Sequence, residues 1–237
     1  MLDFLGIGAQ KAGTTWLYHL LARHPQVGFP AGKELHFWNR PHDAAALDAY
    51  LAQFPERRDG RRQGEITPAY ALLDESVIRA IHAVNPHLRL IYLIRNPTDR
   101  AWSSALMALT RAELTLAEAS DRWFIDHFQS AGSRARGDYQ ACLQRWCSVF
   151  PSEQLLLLRY ERIAADPVGL LDDCFRHLGV EPASAATLIE WGCRERIFAG
   201  PGEPLRPSLR PVLRRLYRDR ILALAAYLRE PLDDWLA

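Results

Sequence analysis

The chain has 237 residues, of which 49% are hydrophobic, enough to bury one substantial core. Its 29 Lys and Arg nearly balance 28 Asp and Glu. That rules out the global basic field of a nucleic-acid binder and confines any anion site to a local feature. The opening "MLDFLGIG" has no basic stretch leading into a long apolar run, so the expectation is a cytoplasmic protein without membrane insertion.

The first apolar run, Phe4–Gly8, reads as a buried strand and passes at once into a helical pattern over Thr14–Arg23. A second helix is predicted over Ala44–Phe54, and "PERRDGRRQG" (Pro55–Gly64) reads as a charged loop. Helix Ser76–Asn85 precedes a second strand, Leu88–Ile94, and helix Thr98–Ala108 follows it. Helix Tyr139–Phe150, strand Gln154–Tyr160 and helix Pro167–Leu178 come next, and Pro207–Leu228 continues as a helix. Asn96-Pro97 and Asp166-Pro167 each place a capping side chain beside a proline that the first helical position tolerates. Strands apolar on both faces, alternating with helices, predict an α/β fold with a parallel sheet, organised as a single domain over 1–237. Cys142, Cys147, Cys174 and Cys193 follow no metal-ligand spacing and read as small core residues.

Chemistry gathers first in "GAQKAGTTW". Gly8 and Gly13 have the glycine spacing of a phosphate-binding loop, but the lysine lies inside the loop at Lys11, and Thr14 and Thr15 follow the second glycine. The amides of Ala12 to Trp16 can converge at a helix N-terminus, where partial positive charge favours phosphate or sulfate. A tight strand-to-helix turn with a surface lysine is the plainer alternative. The second strand ends in Arg95, Asn96 and Pro97, where a nucleotide triphosphatase carries an aspartate for magnesium. Arg95, with Ser103 eight residues on, describes a second anion pocket built without metal; Arg95 paired to a carboxylate is the alternative.

These motifs carry a family resemblance. "QKAGTTWL" resembles the 5′-phosphosulfate loop of sulfotransferases that use 3′-phosphoadenosine-5′-phosphosulfate, and "IRNPTDRAWSSALM" is similar to their 3′-phosphate element. "KELHFW" (Lys33–Trp38) and "GEITPAY" (Gly64–Tyr70) resemble the K-E-x-H-F-F and E-K-T-P-x-Y segments of the glycan type, the heparan sulfate sulfotransferases and their bacterial relatives. The order of "GDYQACLQRWCSVFPSEQLLLLRYERIAADP" and the terminal "LDDW" extend the likeness along nearly the whole chain.

The resemblance implies a three-layer fold like that of the P-loop NTPases, a central parallel sheet flanked by helices. It implies transfer of a sulfuryl group from that donor, without metal, to an acceptor hydroxyl or amine on a small molecule, lipid or glycan. Lys11, Ala12, Gly13, Thr14, Thr15 and Trp16 would hold the 5′-phosphosulfate, and Arg95 and Ser103 the 3′-phosphate. Glu34 falls on the catalytic base, with His36 beside it as a fallback base, and Lys11 would stabilise the leaving oxygen. Two departures stand out. The lysine of E-K-T-P is Ile66 here. The basic loop that covers the cofactor near the C-terminus reads "FAGPGEPLRP", where Arg206, its one basic residue, would be the cofactor-binding cation.

Other readings stay open at this level. A magnesium-dependent small-molecule kinase with a variant loop, or a non-catalytic nucleotide-binding protein, shares the anion motifs. Thr67 and Tyr70 either touch ligand or only accompany a backbone shaped by Pro68. Tyr139 and Trp146, seven apart, read as core. Phe37, Trp38, Trp123, Phe124, Phe128 and Phe198 are expected to line an acceptor pocket and to favour a small or lipophilic acceptor.

Overall fold

The structure is a computed structural model and describes residues 1–55, 60–195, 197 and 202–236. Five parallel strands form one sheet in the order β2-β3-β1-β4-β5. They are β1 (Phe4–Gly8), β2 (Val27–Gly28), β3 (Arg62–Ile66), β4 (Arg89–Ile94) and β5 (Leu155–Arg159). The expected α/β class and parallel sheet are therefore present. β1 and β4 are central, so side chains on both their faces leave water, which is why "FLGIG" and "RLIYLI" read as unbroken apolar runs.

The helices are α1 (Thr14–Leu21), α2 (Ala44–Ala52), α3 (Glu75–Val84), α4 (Pro97–Arg111), α5 (Asp121–Gln129) and α6 (Ala131–Arg136). They continue with α7 (Tyr139–Cys147), α8 (Arg162–Ala165), α9 (Pro167–Leu178), α10 (Ala185–Glu190) and α11 (Arg210–Leu228). Both predicted proline starts are real. Asn96 accepts from the amide of Thr98 at 3.0 Å, and Asp166 accepts from that of Gly169 at 2.9 Å. Gly179, at φ 69°, ends α9 in the left-handed conformation that glycine adopts without a Cβ penalty.

One expectation needs correction: Pro55–Gly64 is not loop throughout, because β3 begins at Arg62. Its polar Gln63 and Glu65 are buried, so the strand lacks the apolar alternation that marks a half-buried strand. Gly64 permits the pairing, since a Cβ there would lie 2.3 Å from the carbonyl oxygen of Phe4.

The chain divides into two compact units. The first, Met1–Ile94 with Arg145–Ile197, contains the whole sheet, and α9 packs on β4 and β5 through Leu170, Leu171, Cys174, Phe175 and Leu178. Each fully buried Leu or Phe there contributes about 1.5–3 kcal/mol of transfer free energy. The second, Arg95–Gln144 with Phe198–Ala237, is helical. Leu213, Tyr217, Ile221 and Leu224 line the buried face of its longest helix, α11. Arg100 of α4 is fully buried in that unit, donating to the Ser133 carbonyl at 2.9 Å and the Tyr217 hydroxyl at 3.3 Å.

Candidate active site

The first unit holds the phosphate-type loop between β1 and α1. Gly8 lies close enough to Tyr92 and Ala71 that a Cβ would meet their side chains at 2.8 and 3.1 Å. Lys11 (φ 68°) and Gly13 (φ 88°) both take left-handed backbone, and Gly13 is the N-cap of α1. A Cβ on Gly13 would meet Ile163 at 2.6 Å and Tyr160 at 3.0 Å, so glycine is required there twice over. No side chain caps this end of α1. The first-turn amides of Thr14, Thr15 and Trp16 have no acceptor within the helix, the arrangement that receives an anion. Ala12 and Thr14 are buried, and Lys11, Gly13 and Thr15 are half-buried. The Trp16 ring is 3% exposed and its indole N–H donates to the Cys193 carbonyl at 3.1 Å, which anchors the helix start from behind.

In the same unit, the segment Lys33–Asn39 carries the candidate base. Glu34 accepts from Lys33 Nζ at 3.0 Å through Oε1 and lies 3.1 Å from His36 Nε2 through Oε2. Its side chain is 34% exposed, open to an incoming group, while that of Lys33 is 11% exposed. His36 has left-handed backbone (φ 56°), and its Nδ1 lies 3.2 Å from Asn39 Oδ1. The carboxylate and the imidazole thus stand within hydrogen-bond reach of each other at the surface.

Beneath this segment lies a feature the sequence reading did not single out. Glu65, fully buried on β3, receives the hydroxyls of Tyr50 (2.6 Å), Tyr70 (2.9 Å) and Thr67 (2.7 Å). Those hydroxyls in turn hold the segment above. Thr67 accepts from the amides of Leu35 (3.1 Å) and His36 (3.5 Å). Tyr70 accepts from the amide of Trp38 (3.4 Å), and Tyr50 from its indole N–H (3.3 Å). Burial pushes the Glu65 carboxyl above the ordinary glutamate range, and the three hydroxyl bonds, with a bond from the Leu35 amide, pull against that shift. Burial beside that carboxylate also pushes both phenols up, so they stay protonated. One signal was available: a glutamate inside a strand, two residues before a threonine, has no solvated face to occupy. Tyr50, in a helix 15 residues away in sequence, gave none.

The remaining site candidates belong to the second unit. Arg95, next in sequence after β4, has its carbonyl held by the Tyr139 hydroxyl at 2.7 Å, and Ser103 is half-buried on α4. Arg206 is committed within that unit. It pairs with Asp121 at 2.7 Å, donates to the carbonyls of Leu116 and Ala119, and stacks over Phe124 at 4.8 Å. Its guanidinium serves as an anchor there.

The expected aromatic pocket lining also needs correction. Trp38 is 2% exposed, and Phe124 and Phe128 are fully buried. The last two sit four residues apart on the inward face of α5, where helical periodicity makes core. Phe37 stacks on Tyr50 at 4.2 Å, and Trp123 is half-buried. Phe198 lies outside the described residues. Tyr139 and Trp146 are core, as expected. Ile66 is fully buried against Gly6, where a Cβ would lie 2.6 Å from it. An apolar side chain therefore fits the position where the resemblance has lysine.

The family model of the sulfotransferase domain matches residues 2–191. The heparan sulfate glucosamine 3-O-sulfotransferase 6 of Mus musculus is 32% identical over 166 residues, 69% of this chain and 48% of that protein. The bifunctional heparan sulfate N-deacetylase/N-sulfotransferase 3 of Homo sapiens is 29% identical over 273 residues, 98% of this chain and 31% of that protein. The chain thus spans about half or less of the length of these relatives. A solved sulfotransferase from Alicyclobacillus acidocaldarius matches with a TM-score of 0.74 at 26% identity, covering 100% of this chain and 99% of its own. Mouse sulfotransferase SULT7A1, solved complexed with PAP, shares the fold at a TM-score of 0.61 and 17% identity, over 93% and 84% of the two chains. The family match runs from the start of β1 to the end of α10 and takes in both the lysine-bearing loop and the Glu34 segment. The chain belongs to the sulfotransferase family.

Proposed function

We propose that the chain catalyses transfer of a sulfuryl group from 3′-phosphoadenosine-5′-phosphosulfate to a hydroxyl or amine of a small-molecule, lipid or glycan acceptor. The observation that carries this reading is the glycine-capped start of α1. Its first-turn amides lack helical acceptors, no side chain caps them, and Lys11 stands in the same loop. Gly13 lets the loop pack this closely, since any Cβ would fall in space already taken by Ile163 and Tyr160. These residues fit the 5′-phosphosulfate end of the donor, and the donor supplies the activated sulfuryl group.

The 5′ end would be held by Lys11, Ala12, Gly13, Thr14, Thr15 and Trp16, the last through its amide because its ring is buried. Arg95 and Ser103 would hold the 3′-phosphate, and the two units together would make a single sulfotransferase domain. The family match, which runs through segments of both units, supports that reading. Glu34 would take the acceptor proton as the acceptor oxygen or nitrogen bonds to sulfur and the bond from sulfur to the phosphate oxygen breaks. His36 would hold that carboxylate and stand in as the alternate base. Lys11 would stabilise charge on the departing phosphate oxygen.

The test is calorimetric titration with adenosine 3′,5′-bisphosphate in the absence of magnesium, followed by labelled-sulfate transfer across phenols, sugars, amines and lipid alcohols. Tight binding and transfer, both lost in Lys11→Ala, are expected. ATP turnover that vanishes on magnesium chelation would replace the reading with a kinase. Binding without transfer to any acceptor class would leave a nucleotide-binding protein.

A further inference from the structure

Four donors leave the Leu35–Trp38 segment for the sheet below: three backbone amides and one indole N–H. None of these groups can accept a hydrogen bond, so the hydroxyls of Thr67, Tyr70 and Tyr50 must accept from them. Each hydroxyl has a single proton, and each directs it to Glu65. The carboxylate therefore sets the polarity of the whole support: protons point inward to Glu65, and lone pairs point outward to the segment.

Such an arrangement is a poor way to gain stability. A carboxylate with no exposure is costly to desolvate, and apolar residues of similar volume would pack the same space with less penalty. What it provides is direction. A carboxylate is acceptor-only, so all three hydroxyls are turned the same way, and the segment is hung at three points spread over its length. Glu34 lies immediately before the first of those points, Leu35, and His36 is the second residue Thr67 holds.

We propose that Glu65 is the positioning residue for the candidate base, and that it acts through Thr67, Tyr70 and Tyr50 and through the Leu35 amide that it also receives. The inference rests on the reading of Glu34 as general base, but its structural half can be tested without any acceptor.

The experiment is amide hydrogen exchange on Glu65→Gln, Thr67→Val and Thr67→Ser, with labelled-sulfate transfer to the same acceptor panel alongside. Gln keeps the volume but replaces one acceptor with a donor, so a hydroxyl must turn. Val keeps the shape of Thr67 and removes its hydroxyl. In Thr67→Val, exchange at Leu35 and His36 should speed up at least about fivefold, the loss of one net hydrogen bond. In Glu65→Gln the acceleration should reach Trp38 as well. The amides of Ala12–Trp16 should stay unchanged, and Thr67→Ser should restore protection.

In the transfer assay, Thr67→Val should lower kcat by roughly 10- to 100-fold with the donor KM held within about twofold, as a displaced reacting group predicts. Adding Thr67→Val to Glu34→Gln should cost little more than Glu34→Gln alone, because both act on one group. Unchanged exchange over Leu35–Trp38 in both Glu65→Gln and Thr67→Val would overturn the proposal, and so would multiplying losses in the double variant. A fully active Glu34→Gln would remove the general-base reading itself. The exchange result then shows whether the support exists apart from it.

Discussion

Two parts of the first unit are held by opposite means. The loop from Gly8 to Trp16 is fixed by its own backbone. Glycine is required where side chains crowd in, Lys11 and Gly13 take left-handed dihedrals, and a helix starts with open amides. The segment from Lys33 to Asn39 has little of that self-sufficiency. It hangs from Thr67 and Tyr70, about thirty residues away, and from Tyr50, all three converging on one buried glutamate. The anion site proposed for the loop would need rigidity, which the loop has locally. The proton-accepting role proposed for Glu34 would need a set distance to a separate substrate, which a support of side chains can give.

The largest expected effect lies on the hung segment. Glu34→Gln removes the proton acceptor and leaves the bonds to Lys33 and His36 geometrically possible. A positioned general base contributes about 10²–10⁴ in rate, so kcat should fall on the order of 10³-fold. Affinity for adenosine 3′,5′-bisphosphate should stay the same, because the loop does not depend on this segment. A parallel loss of bisphosphate binding in calorimetry would show that the two parts are not separable.

The loop should fail differently. Gly13→Ala places a methyl group 2.6 Å from Ile163 and 3.0 Å from Tyr160, on a backbone at φ 88°. A non-glycine residue held there costs on the order of 1–3 kcal/mol. Bisphosphate binding should weaken roughly 10- to 100-fold, the equivalent of losing that much of the loop's geometry. Pairing it with Ile163→Ala relieves the closest contact but neither the approach to Tyr160 nor the dihedral, so binding should recover only in part. Full recovery would mean that the crowding alone makes the glycine necessary.

This contrast also decides what the sequence could tell. Gly8, Lys11, Gly13, Thr14 and Thr15 lie within eight residues, and the physics that links them operates over the same distance, so the loop was legible. So were β1 and β4, whose two-sided burial writes itself as apolar runs, the leucine run of the edge strand β5, and both helices opened by a capping residue and proline. β3 was missed because two of its buried side chains, Gln63 and Glu65, are polar and read as solvated. The role of Glu65 needs Tyr50, Thr67 and Tyr70 together, and only the fold brings α2, the end of β3 and the turn after it to one point. The aromatic residues misled for the related reason that an amphipathic helix such as α5 puts Phe124 and Phe128 on one face, and spacing alone does not say whether that face meets substrate or core.

A smaller effect separates the support of the loop from the loop itself. His24, 4% exposed just beyond α1, accepts from the Gln26 amide through Nδ1 at 3.1 Å. Its Nε2 lies 2.9 Å from the Glu181 carbonyl, so Nε2 carries the proton and the ring is neutral. Burial pushes its pKa below the ordinary histidine value, with the Glu181 bond opposing, and protonation would also break the Nδ1 bond. The unfolded chain therefore takes up a proton below about pH 6.5 that the folded chain refuses. Stability is full above that pH and falls as the solution is acidified through it toward the lowered folded value. Losing one net hydrogen bond of about 1 kcal/mol moves the melting temperature of a chain this size by roughly 2–4 °C. The drop in Tm between pH 7.5 and pH 5.5, measured by circular dichroism, should shrink by about that amount in His24→Gln. His127 and His177 are also held low by burial, so a residual acid loss should remain. If His24→Gln keeps the full pH dependence, the acid sensitivity belongs to those two. The packing behind α1 would then be as insensitive to pH as the backbone loop in front of it.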